Sequence, residues 1–246
     1  MTSITPEILL AELRRAADVV TGIAATLDDA EVAAPSELPG WTRGHVLAHV
    51  AGIGNAMARQ VEYSARGESI ELYDGGFEGR NRAIELSAGH SAEQHRAAVS
   101  AAIERALTAF GALDEAGWRK PITFRGGVVF DGGLALWREL TIHATDLGTG
   151  RGPETWGRPF CEHLFEFLSA RVPEGQRFVL QPLGLSSVAI GAAGGRSTAI
   201  NGMLTDIAAW LAGRTPTLGS LRATAAADGV DLPALLPWPA GVPATK

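Results

Sequence analysis

The chain is poor in cysteine: Cys161 stands alone among 246 residues. A single thiol excludes an intramolecular disulfide and any multi-cysteine metal site, and it agrees with a reducing, cytoplasmic setting. Basic clusters are missing too. The 21 Lys and Arg are outnumbered by 27 Asp and Glu, for a formal charge of -6, and no Lys/Arg run is interleaved with aromatics. Nucleic acid and anionic membrane surfaces are therefore not the expected partners. No apolar run is long enough to span a bilayer. The start, Met1-Thr2-Ser3-Ile4-Thr5-Pro6, has no basic residue leading into an apolar stretch, so no signal peptide is expected. Internal repeats and low-complexity tracts are also missing. Cys161 sits in the apolar pattern Phe160, Leu164, Phe165, Leu168 and reads as a buried small hydrophobe. Any thiol chemistry would need a thiol from outside.

What is present is ordinary for a soluble globular protein of one or two domains: 46% hydrophobic and 20% charged residues. Thr5-Pro6-Glu7 reads as an N-cap, a proline at the first helical position and an acid in the first turn. Leu9, Leu13, Ala16, Val20, Ile23 and Leu27 then follow in steps of three and four. Thr42 is placed to cap a second long helix ending near Gly67. Gly52 and Gly54 within it predict close approach by another helix or a ligand. Arg80 to Leu86 reads as helical. Ser91 and Gln94 form a capping box for a third long helix reaching about Leu113. Two strand-like runs, Ile122-Thr123-Phe124 and Val128-Val129-Phe130, predict a small hairpin or looped excursion. Gly132-Gly133 then opens a fourth long helix that stops at Gly148.

The first domain, residues 1–151, is thus expected to be a four-helix bundle, a class that builds metal sites from inward side chains on facing helices. The texture changes after Gly150-Arg151-Gly152-Pro153. Residues 152–246 read as a small α+β unit. It begins with a helix from Phe160 to Val172, followed by strand-like runs at Arg177 to Leu180, Ser187 to Ile190 and Thr198 to Ile200. Asn201-Gly202 would start a further helix from Leu204 to Ala212, with Arg214 just past it. The tail, with Pro233, Pro237, Pro239 and Pro243, reads as irregular after a short turn at Leu232 to Leu236.

Three ligand-type side chains lie in apolar helical stripes. His49 sits among Val46, Val50, Ile53 and Met57, while Glu139 and His143 sit among Leu136, Leu140 and Leu147. Helix positions four apart share a face, so Glu139 and His143 project together. A carboxylate among leucines costs several kcal/mol unless it is paired or bound to a metal. From spacing alone, two outcomes stay open: a buried Glu–His hydrogen bond, or the two-histidine, one-carboxylate set of a catalytic zinc site with an open fourth position. His45 reads as a capping or solvent-edge residue. Asp146, in the last turn, opposes the helix dipole and needs a partner; an arginine is the expected one, a ligand histidine the alternative. Arg80, Asn81, Arg82 and Arg214 are the candidates for holding an anionic substrate.

Trp41-Thr42-Arg43-Gly44-His45-Val46-Leu47-Ala48-His49-Val50 and Trp137-Arg138-Glu139-Leu140-Thr141-Ile142-His143-Ala144-Thr145-Asp146-Leu147-Gly148 resemble, in residue type and separation, the signature of the mycothiol-dependent maleylpyruvate isomerase family. That family belongs to the DinB-like metal-binding bundles. Arg80-Asn81 falls where the family has an Arg-Asn pair. Ala208 to Arg214 is similar to the helix closing the family's second domain, and the resemblance covers nearly the whole chain. It implies an α+β protein with an N-terminal DinB-like four-helix bundle followed by a small sterol-carrier-like α+β domain. It also implies a divalent ion, zinc, on His49, Glu139 and His143, with mycothiol as the cofactor. Arg214 and Arg80 would be catalytic, and Asn81 and Arg82 would contact the cofactor. In such an isomerase a zinc-bound thiolate adds to the double bond of an unsaturated keto acid. Rotation and elimination then give the trans product, with arginines holding the carboxylates and the enolate.

The resemblance leaves the reaction open between this isomerisation and thiol S-transfer to another electrophile. Residues 67–79 and 119–133 carry no family landmarks and are where substrate choice would differ. The alternative class is a non-catalytic small-molecule-binding or regulatory module, supported by the apolar C-terminal helix and the aromatics Trp156, Phe160, Phe165 and Phe167.

Overall fold

A computed structural model describes residues 3–225 and 228–239. Met1, Thr2 and Pro243, on which parts of the terminal readings fall, lie outside them. Backbone contacts divide the chain into two units, Ile4–Gly150 and the residues from Arg151 on. Each is described by itself.

The first unit is helical: α1 (Pro6–Thr26), α2 (Asp29–Ala33), α3 (Arg43–Ala65), α4 (Gly76–Ala88), α5 (Ala92–Gly111) and α6 (Val129–Asp146). The long helices α1, α3, α5 and α6 form the bundle, with α4 against α3. The capping chemistry read from the sequence is in place. Thr5 Oγ1 accepts from Ile8 N at 3.4 Å, and Ser91 Oγ accepts from Gln94 N at 3.2 Å. Thr42 starts α3 with a histidine in the usual glutamate role of the capping box. His45 Nδ1 lies 3.2 Å from Thr42 N, so His45 is the cap it was expected to be. The inward stripe of α1, Leu9, Leu13 and Val20, is fully buried.

Of the two glycines singled out in α3, Gly54 meets a neighbour, since a Cβ there would stand 3.4 Å from Ala102 of α5, whereas one at Gly52 would point into open space; the tightest approach is at Gly44, where a Cβ would fall 2.2 Å from the Ala88 carbonyl oxygen of α4. The expected hairpin before α6 is also corrected. Val129 and Phe130 belong to the first turn of α6, because the Asp131 carboxylate accepts from Val128 N at 2.9 Å and caps the helix three residues earlier than Gly132. What remains of the hairpin is one bridge, Pro121 to Val128, around a 3-10 turn at Phe124–Gly126.

The second unit has α7 (Arg158–Phe167), β1 (Gln176–Pro182), β2 (Val188–Gly191), β3 (Arg196–Gly202), α8 (Leu204–Leu211), β4 (Arg222–Ala225) and β5 (Asp228–Val230). The sheet order is β2-β1-β3-β4-β5, with β1 and β3 parallel and the other pairs antiparallel. Phe178, Leu180 and Ile200 are fully buried, and α8 lies on β1 and β3. Asn201-Gly202 ends β3 rather than opening α8, whose cap position is Met203. Strands β4 and β5 were not foreseen. Residues 231–239 carry no turn. Leu236 is instead held by Arg171, its N donating to the Arg171 carbonyl at 2.8 Å and its carbonyl accepting from Arg171 Nε at 2.7 Å.

Candidate metal centre

Helix α3 delivers His49 and α6 delivers Glu139 and His143 to one point. His49 Nε2 lies 2.8 Å, and His143 Nε2 3.1 Å, from the same Glu139 oxygen, Oε2. The two imidazole rings stand edge-to-face with centroids 4.6 Å apart, and Trp41 packs edge-on against His49 at 5.9 Å. One ligand atom from each of the three residues lies within 4.8 Å of the others. A tetrahedral ion held at the usual zinc distances sets its ligands about 3.4 Å apart, so small movements would open this cluster to fit. The His49 side chain is only 6% exposed and that of His143 13%, whereas that of Glu139 keeps 33% of its surface open. The cluster has a buried floor and one accessible side.

A proton or a metal cation can bridge this donor set. Asp146 Oδ2 lies 2.8 Å from His143 Nδ1 and accepts the hydrogen bond from its N–H. The Nε2 lone pair of His143 then points at a carboxylate oxygen, a repulsive arrangement unless a proton or a metal ion stands between them. Burial pushes the His143 ring down, but hydrogen bonds to Asp146 and Glu139 outweigh it and lift it to about 9, so a proton fills that role. Burial works against the Glu139 charge, yet its hydrogen bonds with His143 and His49 hold it well below the usual carboxylate range. His49 is pushed down by burial, only partly offset by Glu139, and stays neutral. A neutral imidazole beside a carboxylate whose second histidine is oriented by an aspartate is the pattern of metal sites with outer partners. For Asp146, the structure thus shows the histidine partner that ranked below an arginine in the sequence.

Arg80, on α4, reaches the same cluster. Its Nη2 lies 3.1 Å from His49 Nδ1, and its Nη1 donates to Asn81 Oδ1 at 2.9 Å. Asn81 and Arg82 are exposed on α4. Arg214 belongs to the other unit, where its backbone N donates to the Ala209 carbonyl at 2.8 Å and its Nη1 to the Ala212 carbonyl at 3.0 Å, next to Arg171. Sequence reasoning missed Tyr73, whose hydroxyl is pushed up to about 12 by burial and which neighbours Arg80 and Glu139. It also missed Arg138, nearly buried beside Glu139 and pushed down to about 9 by that burial. No periodic pattern marks either residue. Cys161 is fully buried and its thiol is pushed up to about 12, so the protein supplies no reactive thiol of its own.

A helical bundle carrying a His-Glu-His cluster, continued by a small α+β unit, defines the class of protein: a DinB-like bundle with a candidate metal site. The family pattern of the mycothiol maleylpyruvate isomerase N-terminal domain matches residues 13–148, and that of the corresponding C-terminal domain matches residues 155–237. The chain therefore belongs to the mycothiol-dependent maleylpyruvate isomerase family. Among solved structures it is similar to the crystal structure of the mycothiol-dependent maleylpyruvate isomerase, with 25% identity, a TM-score of 0.82 and coverage of 96% of this chain and 99% of that one. A histidine-to-alanine mutant of that isomerase gives the same fold at 24% identity, a TM-score of 0.81 and the same coverage. No curated protein matches the sequence. No helix among the described residues is long and apolar enough to cross a membrane.

Proposed function

We propose that the protein is a divalent-metal enzyme that uses mycothiol against a small electrophile, either isomerising an unsaturated keto acid or transferring the thiol. The observation that carries this reading is the convergence of His49, Glu139 and His143, with both Nε2 atoms set against one Glu139 oxygen. These three residues would hold the ion, with zinc the proposed metal. Bound there, a divalent ion favours the thiolate of an added thiol at neutral pH. Asp146 holds the His143 ring through Nδ1, so a metal ion that displaces the Nε2 proton would meet a ring already oriented toward it. The Arg80 guanidinium, at the edge of the cluster, is placed to stabilise negative charge that develops on an adding substrate. Arg214 is the second proposed catalytic arginine, and Asn81 and Arg82 are the proposed contacts to the thiol. The inert Cys161 leaves the external thiol as the nucleophile.

Converting maleylpyruvate to its trans isomer with catalytic mycothiol tests the isomerase arm. Adduct formation between mycothiol and an electrophile, without that isomerisation, assigns the transferase arm. Neither turnover, together with a protein that takes up no zinc, overturns the reading and leaves a non-catalytic binding module. Cytoplasmic residence is proposed alongside, since mycothiol is a small intracellular thiol.

A further inference from the structure

We propose that Arg125 reads a carboxylate of the substrate beside the metal triad, and that Gln60 positions the turn carrying it; this rests on the metal–thiol reading above. Arg125 is the one non-glycine residue with positive φ among the described residues, at φ 55 and ψ 17 within the Phe124–Gly126 turn. A long side chain in the left-handed region is disfavoured, and such strain persists where surrounding structure imposes it and collects at functional sites.

Here the imposing structure is visible. Gln60 lies on α3, eleven residues after His49 and so on the same helical face. It is 2% exposed, and its amide is spent on two loops. Its Oε1 accepts from Thr123 Oγ1 and from Phe124 N, both at 3.0 Å, and its Nε2 donates to the Ile70 carbonyl at 2.6 Å. The helix that presents a metal ligand thus also clamps the backbone immediately before Arg125.

The Arg125 guanidinium rests over the Phe124 ring at 5.2 Å, and it feels the attraction of Glu139 and the repulsion of Arg138. The half-buried guanidinium is thus held on a strained turn within electrostatic reach of Glu139. A guanidinium in a fixed orientation matches a carboxylate with two parallel hydrogen bonds. The sequence in this turn, Thr123-Phe124-Arg125-Gly126-Gly127, supplies the left-handed follower at Gly126, φ 66, that the geometry needs.

The test uses the full chain and two probes, maleate and its monomethyl ester, titrated by calorimetry with and without one equivalent of zinc. Arg125→Gly removes the guanidinium and also relieves the backbone. It is expected to bind maleate about tenfold more weakly, to lose the preference for maleate over the ester, and to melt at the same temperature or higher. Arg125→Lys falls between. Gln60→Ala keeps the guanidinium but frees the turn, so the maleate-to-ester preference shrinks, which a general loss of stability would not cause. Zinc uptake is expected to be unchanged in all three. Wild-type maleate affinity in Arg125→Gly, no maleate binding by the wild-type protein, or a markedly lower melting temperature for Arg125→Gly each overturns the proposal. Absence of zinc uptake in the wild-type protein defeats the metal reading instead, and the zinc-free maleate titrations still decide on Arg125.

Discussion

Asp206 and Glu139 are both acids drawn inward on a helix, one in each unit, and they are satisfied in opposite ways. Asp206 is fully buried on α8 and is met by backbone donors and a rotatable hydroxyl: Leu218 N, Ser220 N and Ser220 Oγ at 3.1, 2.9 and 2.7 Å, with the Thr217 backbone beside them. It pins the loop after α8 and has no side open. Glu139 instead shares one oxygen between two imidazoles whose protons can leave, and a third of its side chain stays accessible. A saturated carboxylate is structural. A carboxylate that shares one oxygen between two imidazoles and keeps an open side is a candidate ligand. The two units differ accordingly: the sheet unit closes around Phe178, Leu180 and Ile200, while the bundle leaves titratable groups facing one another in its interior.

The largest expected effect comes from removing a ligand. His49→Ala should lower zinc affinity by at least about a hundredfold, because three protein ligands are the minimum of a catalytic zinc site. Calorimetry and metal content after dialysis check this, and wild-type uptake in the variant would put the metal elsewhere. Asp206→Ala should act in the other way. It should cost about 3 kcal/mol of stability by leaving two backbone N–H groups without their acceptor, with zinc affinity unchanged; denaturant unfolding and a zinc titration on the same sample read both. Asp146→Asn sits between the two classes, since it keeps the shape but loosens the His143 tautomer. A roughly 10–100-fold weaker zinc affinity is expected, and a change confined to melting temperature would move Asp146 to the structural side of the comparison.

The smallest effect is in pH. His143 is raised to about 9 in the metal-free protein, so its contribution is fully present below pH 6.5 and is lost as pH rises through 9. His49 is lowered from 6.5, so its contribution is present above 6.5 and lost as pH falls below it. The melting temperature of the chelator-treated protein should therefore peak near neutral pH and decline toward pH 9, and the alkaline decline should disappear when zinc is bound. A decline of equal size with zinc present would detach His143 from the metal.

The inward placing of His49, Glu139 and His143 was legible because helical periodicity is a local property. Once Val46, Val50, Ile53 and Met57 mark the inward face of α3, His49 is inward too, and Glu139 and His143 follow from Leu136 and Leu140. The caps at Thr5, Thr42 and Ser91 were legible for the same reason: donor and acceptor lie three residues apart. Elsewhere a local pattern misled. Val128-Val129-Phe130 has the composition of a strand, yet Asp131 draws it into α6. Arg222 to Ala225 has little strand character of its own and becomes a strand by pairing with β3, a partner more than twenty residues away. Arg125 and Gln60 were invisible, since a left-handed φ and a clamp spanning 64 residues leave no mark on spacing.

By itself, the order of residues decided which side chains turn inward, where each long helix begins to be capped, and that the chain carries two units of different texture. Those features arise between neighbours one or two helical turns apart, where geometry is nearly independent of the rest of the molecule. Only the tertiary structure decided that residues ninety positions apart meet at a single oxygen, that Asp146 turns to a histidine, and that one arginine is forced into a left-handed turn. Such outcomes depend on packing between distant elements, where many small contacts together outweigh the preference of any one residue.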